Sequence, residues 1–381
     1  MRSTIVTLSL YPSSGGPSKS ISAFQRALNA DVVSWADGRL TEDEKLVWEQ
    51  CHVVSAVRTP FLRKLAYPSG AGLAAAEHAI AASDLVSCHL FWKLHAQYAG
   101  AMARRHDVPY WFVPHGALDP YVFESDKVAK WAFLKAGGRR FLADAAAVVC
   151  ATQREYDKLR HFVPQARPAI IPWPLADSDF RETDSGRRAK TRRMLGIAED
   201  AVAFLAFGRL DPMKRPLETI AAFATGAPET AHLMLVGNEC GVSRQACEDR
   251  ARALNVSQRV HVTGPAYGCA RHDYIDAADV YVSLSRRENF NFTAAEALAS
   301  RLPVLLSPGN DLSADLQAAD CGWFLGSLEQ AADAFSLAAR STPEDRRSKG
   351  DRGRTWAETH LRFDTFQSRV CTFAAQIARR P

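Results

Sequence analysis

The sequence predicts an α/β protein built from two doubly wound parallel sheets. Three observations carry this prediction. Short apolar runs alternate with amphipathic helical stretches almost from end to end. The runs are continuous rather than alternating, as suits strands buried on both faces. The chain has 381 residues, enough for two domains of roughly 100–200 residues each.

In the first half the apolar runs are Ile5–Leu10, His52–Val57, Asp84–Cys88, Pro109–Val113, Ala146–Cys150 and Ala169–Ile171. Helical patterns fill the intervals at Ser18–Leu28, Phe91–Arg105, Lys127–Leu142 and Gln153–His161. In the second half the runs are Ala201–Phe207, His232–Val236, Val260–Thr263, Val280–Leu284 and Val304–Ser307. Strand–helix repetition implies right-handed βαβ units, with ligands at the carboxyl ends of the strands, facing a cleft between the domains. Pro172-Trp173-Pro174 and the polar stretch Asp177–Arg193 separate the two series. Proline stops a helix and stiffens the path, so the domains are expected at 1–173 and 174–362, with a final helical segment at 363–381.

Composition narrows the function classes. Hydrophobic residues make up 47 % of the chain, which excludes bulk disorder. A net charge of +5 suits anionic ligands or an acidic membrane surface without being a nucleic-acid signature. No run is long and apolar enough for a spanning helix, and the N-terminal stretch reads as a first strand rather than an export signal. The eight cysteines form no CxxC pair and are expected to be reduced thiols. The expectation is a soluble cytoplasmic protein.

Four patterns can carry chemistry. Ser13-Ser14-Gly15-Gly16-Pro17 follows the first strand and precedes a helix; it is either a backbone cradle for an anion or a plain tight turn. His115-Gly116-Ala117-Leu118-Asp119-Pro120 follows a strand, and His89 holds the equivalent place one strand earlier. A neutral imidazole there reaches a sugar hydroxyl or phosphate oxygen, or is satisfied by nearby carbonyls. Gly208-Arg209-Leu210-Asp211-Pro212-Met213-Lys214 opens the second series. Arg209 offers a rigid fork for phosphate and Lys214 a mobile charge, unless both are merely solvated. Ser285-Arg286-Arg287-Glu288-Asn289-Phe290-Asn291-Phe292-Thr293-Ala294-Ala295-Glu296 places two carboxylates eight residues apart at a strand–loop–helix junction. Glu296 fits ribose hydroxyls, or closes a capping box with Thr293.

Two weaker signals have competing readings. Asp177-Ser178-Asp179 matches a DxD metal pattern but lies in the interdomain stretch, where turn and capping chemistry is the better reading. Lys127–Arg140 mixes cations with Trp131, Phe133 and Leu134. It suits an anionic membrane or a lipid-linked acceptor, although packing on the sheet also explains its apolar residues.

These patterns in this order resemble the family-4 glycosyltransferases, retaining and nucleotide-sugar-dependent enzymes of the GT-B fold. The matching pieces are Gly15-Gly16, the PHGALDP stretch, FGRLDPMK, LVGN at Leu235–Asn238, Glu288-x7-Glu296 and the ALASRLPV that follows it. The resemblance implies an N-terminal acceptor domain, a C-terminal donor domain and a final segment that crosses back to the first. It implies that Arg209 and Lys214 bind the donor diphosphate, that Glu288 meets the donor sugar and Glu296 the ribose, and that His115 lies beside the reacting centre. Gly15, Gly16, Gly208, Asn289, Phe290, Asn291 and Phe292 complete the donor loops, and His89, Trp92 and Asp119 are placed with the acceptor. Expected partners are a UDP- or GDP-sugar and a saccharide or lipid-linked acceptor, with peripheral inner-membrane contact through Lys127–Arg140, no metal or other cofactor, and no nucleic acid.

The sequence departs from that pattern in three places. Asn289-Phe290-Asn291 stands where the family has Gly-Phe-Gly, so side-chain amides are expected in the donor loop at positions that call for positive φ. Arg301 replaces a glycine before Leu302-Pro303, and Trp173-Pro174 replaces an interdomain Asn-Gly. An epimerase, a phosphorylase or a binding protein without turnover share the architecture. A hydride-transferring enzyme is disfavoured because no GxGxxG follows the first strand.

Overall fold

The computed structural model describes residues 1–8, 16–35, 72–378 and the backbone of 51–53. Gly15, Ser9–Leu10 and Val54–Val57 lie outside the described residues. The chain forms two compact units, Met1–Pro174 with Phe363–Pro381, and Leu175–Arg362.

The first unit holds a parallel sheet of seven strands: β1 Ser3–Thr7, β2 Asp31–Ser34, β3 Cys51–Val53, β4 Leu85–His89, β5 Tyr110–Val113, β6 Ala147–Cys150 and β7 Arg167–Ile170. Their order is β3-β2-β1-β4-β5-β6-β7. Val6 pairs with Val33 on one side and Cys88 on the other. The second unit repeats the plan with β8 Ala203–Phe207, β9 His232–Val236, β10 Val260–Thr263, β11 Val280–Ser283, β12 Val304–Leu306 and β13 Gly322–Phe324, in the order β10-β9-β8-β11-β12-β13. Every pair in both sheets is parallel. Strands β2 and β13 were not evident in the sequence, because each has only two apolar residues and opens on Asp31 or Gly322, residue types that read as turn.

This order reverses direction between β1 and β4 and again between β8 and β11. In open α/β sheets, ligands bind outside the carboxyl ends of the strands at such reversals of strand order. Topology alone therefore singles out the segments that follow Thr7, His89, Phe207 and Ser283.

Apolar burial holds each unit together. In the second unit Phe204, Phe223 and Phe335 meet edge-on at 4.8–6.1 Å and are fully buried. In the first, the helix Phe363–Ile377 lays Phe366 against Phe24 at 5.0 Å and Trp173 at 6.5 Å, and Phe373 against Trp111 at 5.9 Å. Phe366 is fully buried, which stabilises by about 2–3 kcal/mol. The predicted helix Lys127–Leu142 is instead three pieces, Lys127–Phe133, a wide turn Leu134–Gly138, and Arg139–Ala143. Gly137 adopts φ 128°, which a continuous helix does not allow.

Candidate functional site

In the second unit the loop after β8 carries the predicted cations. Gly208 has φ 148°, and a Cβ there would meet Lys214 Cε at 3.0 Å. Asp211 caps the short turn Pro212–Lys214 by accepting from Met213 N at 2.8 Å. Arg215 at φ 54° then redirects the chain into the helix Pro216–Gly226, opened by its proline. The result folds Lys214 back over Gly208. Arg209 stays exposed, with Nη1 3.7 Å from Cys240 Sγ.

The loop after β11 presents Glu288 to the same corner. Its Oε1 accepts from Lys214 Nζ at 2.5 Å and from Ser285 Oγ at 2.9 Å. Backbone bonds fix it from both sides: Glu288 N donates to the Gly309 carbonyl, and Asp311 N to the Glu288 carbonyl. Gly309 must lack a side chain, since a Cβ would lie 2.2 Å from the Ser285 carbonyl oxygen. Arg286 N also donates to the Met213 carbonyl at 2.7 Å, joining the two loops. Gly208, Arg209, Lys214, Ser283 and Ser285 line one pocket. A partly exposed lysine held by a carboxylate is a cation that can exchange partners for a phosphate oxygen.

The Asn-Phe-Asn segment behaves differently from expectation. Asn291 has φ 51°, but Asn289 is not among the described residues with positive φ. The Asn291 amide turns inward and caps the helix Phe292–Ala299, so it does not crowd the pocket. Phe290 is buried against Phe292 at 4.9 Å. Because Asn291 is the cap, Thr293 is not, and Glu296 falls in the second helical turn. Glu296 is 5 % exposed and accepts from Arg271 Nη1 at 3.2 Å, while Arg271 also binds Asp179. Asp177-Ser178-Asp179 is a single turn, in which Asp179 accepts from Ala176 N.

In the first unit Gly16 begins the helix Gly16–Leu28. His115 and Gly116 follow β5 with φ 51° and 73°. That double left-handed turn is held by Glu155, whose two oxygens accept from Gly116 N at 2.7 Å and Ala151 N at 2.9 Å. His115 Nε2 lies 2.9 Å from His89 Nδ1, and the rings stack at 5.2 Å. Burial lowers the His115 pKa to about 3 and takes His89 well below the usual imidazole range, His115 adding to the effect. Trp92 and Asp119 have internal partners. The Trp92 indole donates to the Ala117 carbonyl at 2.6 Å, and its ring packs on Phe123 and Phe133. Asp119 accepts from Tyr121 N at 3.0 Å and Lys158 Nζ at 2.7 Å.

Sequence reasoning missed Glu155, Asn310 and Arg271. Thr152-x-x-Glu155 has the sequence pattern of a helix start, and Thr152 does cap the helix by accepting from Glu155 N, so the pattern could have revealed the first. The others are defined by pairings across the fold. Among the described residues no group of three or more His, Cys, Asp or Glu side chains is arranged to hold a metal ion. No helix among them is long and apolar enough to cross a membrane, and the seven described cysteines are free thiols.

Residues 15–174 match the family described as Glycosyl transferase 4-like domain, and residues 187–356 match Glycosyl transferases group 1. A D-inositol 3-phosphate glycosyltransferase from Geodermatophilus obscurus is 31 % identical over 44 % of this chain and 39 % of its own. An alpha-monoglucosyldiacylglycerol synthase from Streptococcus pneumoniae is 26 % identical over 54 % of this chain and 47 % of its own. The matched parts thus span less than half the length of these curated relatives. Among solved structures, Anabaena HepE in complex with UDP aligns with a TM-score of 0.78 at 18 % identity, covering 99 % of this chain and all of that one. Sucrose-phosphate synthase from Thermosynechococcus elongatus aligns with a TM-score of 0.73 at 18 % identity, over 99 % and 98 % of the two chains. With both sequence halves and the fold in agreement, the chain belongs to the family-4 glycosyltransferases of the GT-B fold.

Proposed function

We propose that the protein is a retaining, metal-independent transferase that moves a hexosyl group from a UDP- or GDP-sugar to a saccharide or lipid-linked acceptor, in glycan or polysaccharide synthesis. The observation that carries this reading is the Lys214–Glu288 ion pair in the loops after β8 and β11. A donor diphosphate takes Lys214 from Glu288 and gains Arg209, and the freed carboxylate turns to sugar hydroxyls. Charge building on the departing diphosphate is then met by two fixed cations, as a metal would meet it elsewhere. On the retaining, front-side route the bond from the acceptor oxygen to the anomeric carbon forms on the face from which the phosphate oxygen leaves. The acceptor proton passes to that departing oxygen.

HepE has been solved with UDP and with UDP-glucose, which favours a uridine donor here. Acceptor binding is assigned to the first unit, around Gly16, His89 and His115. The piece Lys127–Arg140 supports a peripheral membrane role. Trp131 is half exposed under Lys135 and Arg139, and Val128 is 85 % exposed.

Single substitutions Arg209→Ala, Lys214→Ala and Glu288→Ala are each expected to lower donor turnover ~10²-fold or more with unchanged circular dichroism. Near-normal turnover in all three would defeat the assignment.

A further inference from the structure

We propose that His89 is a positioning residue that fixes the tautomer of His115 and holds it as a neutral hydrogen-bond donor through Nδ1. The direction of one hydrogen-bonded chain is set from its Trp111 end. At one end the Trp111 indole N–H can only donate, and it donates to Ser87 Oγ. Ser87 is fully buried, and its other partner is His89 Nε2 at 2.8 Å. Its hydroxyl proton therefore goes to Nε2, since the alternative leaves a buried O–H without an acceptor. A neutral His89 then carries its proton on Nδ1, which faces His115 Nε2 at 2.9 Å.

At the other end Ser20 Oγ donates to the Pro17 carbonyl at 2.9 Å. It therefore meets His115 Nδ1, 3.4 Å away, as an acceptor. This is compatible with a His115 proton on Nδ1, but a contact of that length is too weak to hold the proton there without His89. The surroundings hold the pair in place. His95 Nε2 donates to the His89 carbonyl at 2.9 Å, Phe24 packs edge-on against His89 at 5.0 Å, and Trp173 lies 5.5 Å from His115. Burial disfavours the charged form of both rings.

The Ser20 contact is long, so the His115 Nδ1–H is the donor that an incoming sugar hydroxyl or phosphate oxygen takes over. The Nε2 lone pair is occupied by His89, so His115 orients a ligand and does not accept a proton from one. This catalytic consequence rests on the transferase reading; the tautomer does not.

The test is imidazole ¹H–¹⁵N spectroscopy of the full-length protein labelled at histidine nitrogen, with His89→Leu and His89→Asn. In the unsubstituted protein both rings are expected to be protonated at Nδ1 and bare at Nε2. His89→Leu removes the donor, so His115 is expected to populate the Nε2–H form, and kcat to fall roughly tenfold with KM for the donor little changed. His89→Asn returns an N–H near the position of Nδ1 and is expected to restore both readouts. A His115 proton on Nε2 in the unsubstituted protein, a charged ring at neutral pH, or an unchanged Nδ1–H in His89→Leu overturns the proposal. The first two readouts need no variant to fold. If the spectra are as expected and no preparation transfers sugar, the tautomer assignment stands and the transferase reading is what fails.

Discussion

At Asn291 one side chain serves four polar groups. Its Oδ1 accepts from Ala294 N and the Tyr281 hydroxyl, and its Nδ2 donates to Ser283 Oγ and Asn310 Oδ1. A glycine reproduces the backbone at φ 51° but none of these bonds. Asn291→Gly is therefore expected to destabilise the protein by about 2–4 kcal/mol, because buried Tyr281 and Asn310 lose partners. Urea unfolding measures it, and a change below about 0.5 kcal/mol contradicts the capping role. The tolerance of asparagine for positive φ was legible at this position. Its inward turn was not, because Asn310 follows a different strand, β12, and reaches Asn291 only in the folded sheet. Arg209, Lys214 and Glu288 were legible for the opposite reason: each sits in a loop directly after an apolar run, where the fold class itself puts ligands.

Arg301 shows what an element requires of one position. The helix Phe292–Ala299 ends in a Schellman motif, with Leu302 N donating to the Ala297 carbonyl and Arg301 N to the Leu298 carbonyl. The residue between must be left-handed, and Arg301 has φ 59°. The glycine of the family pattern would meet that need without strain. Arginine adds ion pairs to Glu182 at 3.2 Å and Asp351 at 2.5 Å, both well exposed and each worth about 0–1 kcal/mol. Left-handed strain costs about 1–2 kcal/mol, so the two effects nearly offset. Arg301→Gly is expected to change stability by less than about 1 kcal/mol. Arg301→Val keeps the strain, loses the pairs and is expected to lose about 2 kcal/mol or more. Equal thermal shifts for the two variants would contradict this. The same element logic explains the broken helix at Gly137 and the unnoticed strands β2 and β13. Sheet pairing, rather than local pattern, makes strands of these two segments.

For the molecule as a whole, the excess of 47 Lys and Arg over 42 Asp and Glu is small, so its placement matters more than its size. Lys127, Lys135, Arg139 and Arg140 are exposed around Trp131 and Val128. A lysine near an anionic lipid surface contributes about 1 kcal/mol. Trp131→Ala combined with Lys135→Gln is expected to lower partitioning onto vesicles containing phosphatidylglycerol by roughly fivefold or more. Vesicles of phosphatidylcholine alone are the control. Equal binding to both kinds, or no loss in the double variant, contradicts the membrane role.

Calorimetric titration of UDP and GDP in EDTA, for the unsubstituted chain and for Lys214→Ala and Arg209→Ala, tests the donor site most directly. A charge-assisted phosphate contact contributes about 1.5–3 kcal/mol, so each variant is expected to bind at least roughly tenfold more weakly. Binding that appears only when a divalent metal is added, or that survives both substitutions unchanged, would show that these cations do not hold the diphosphate.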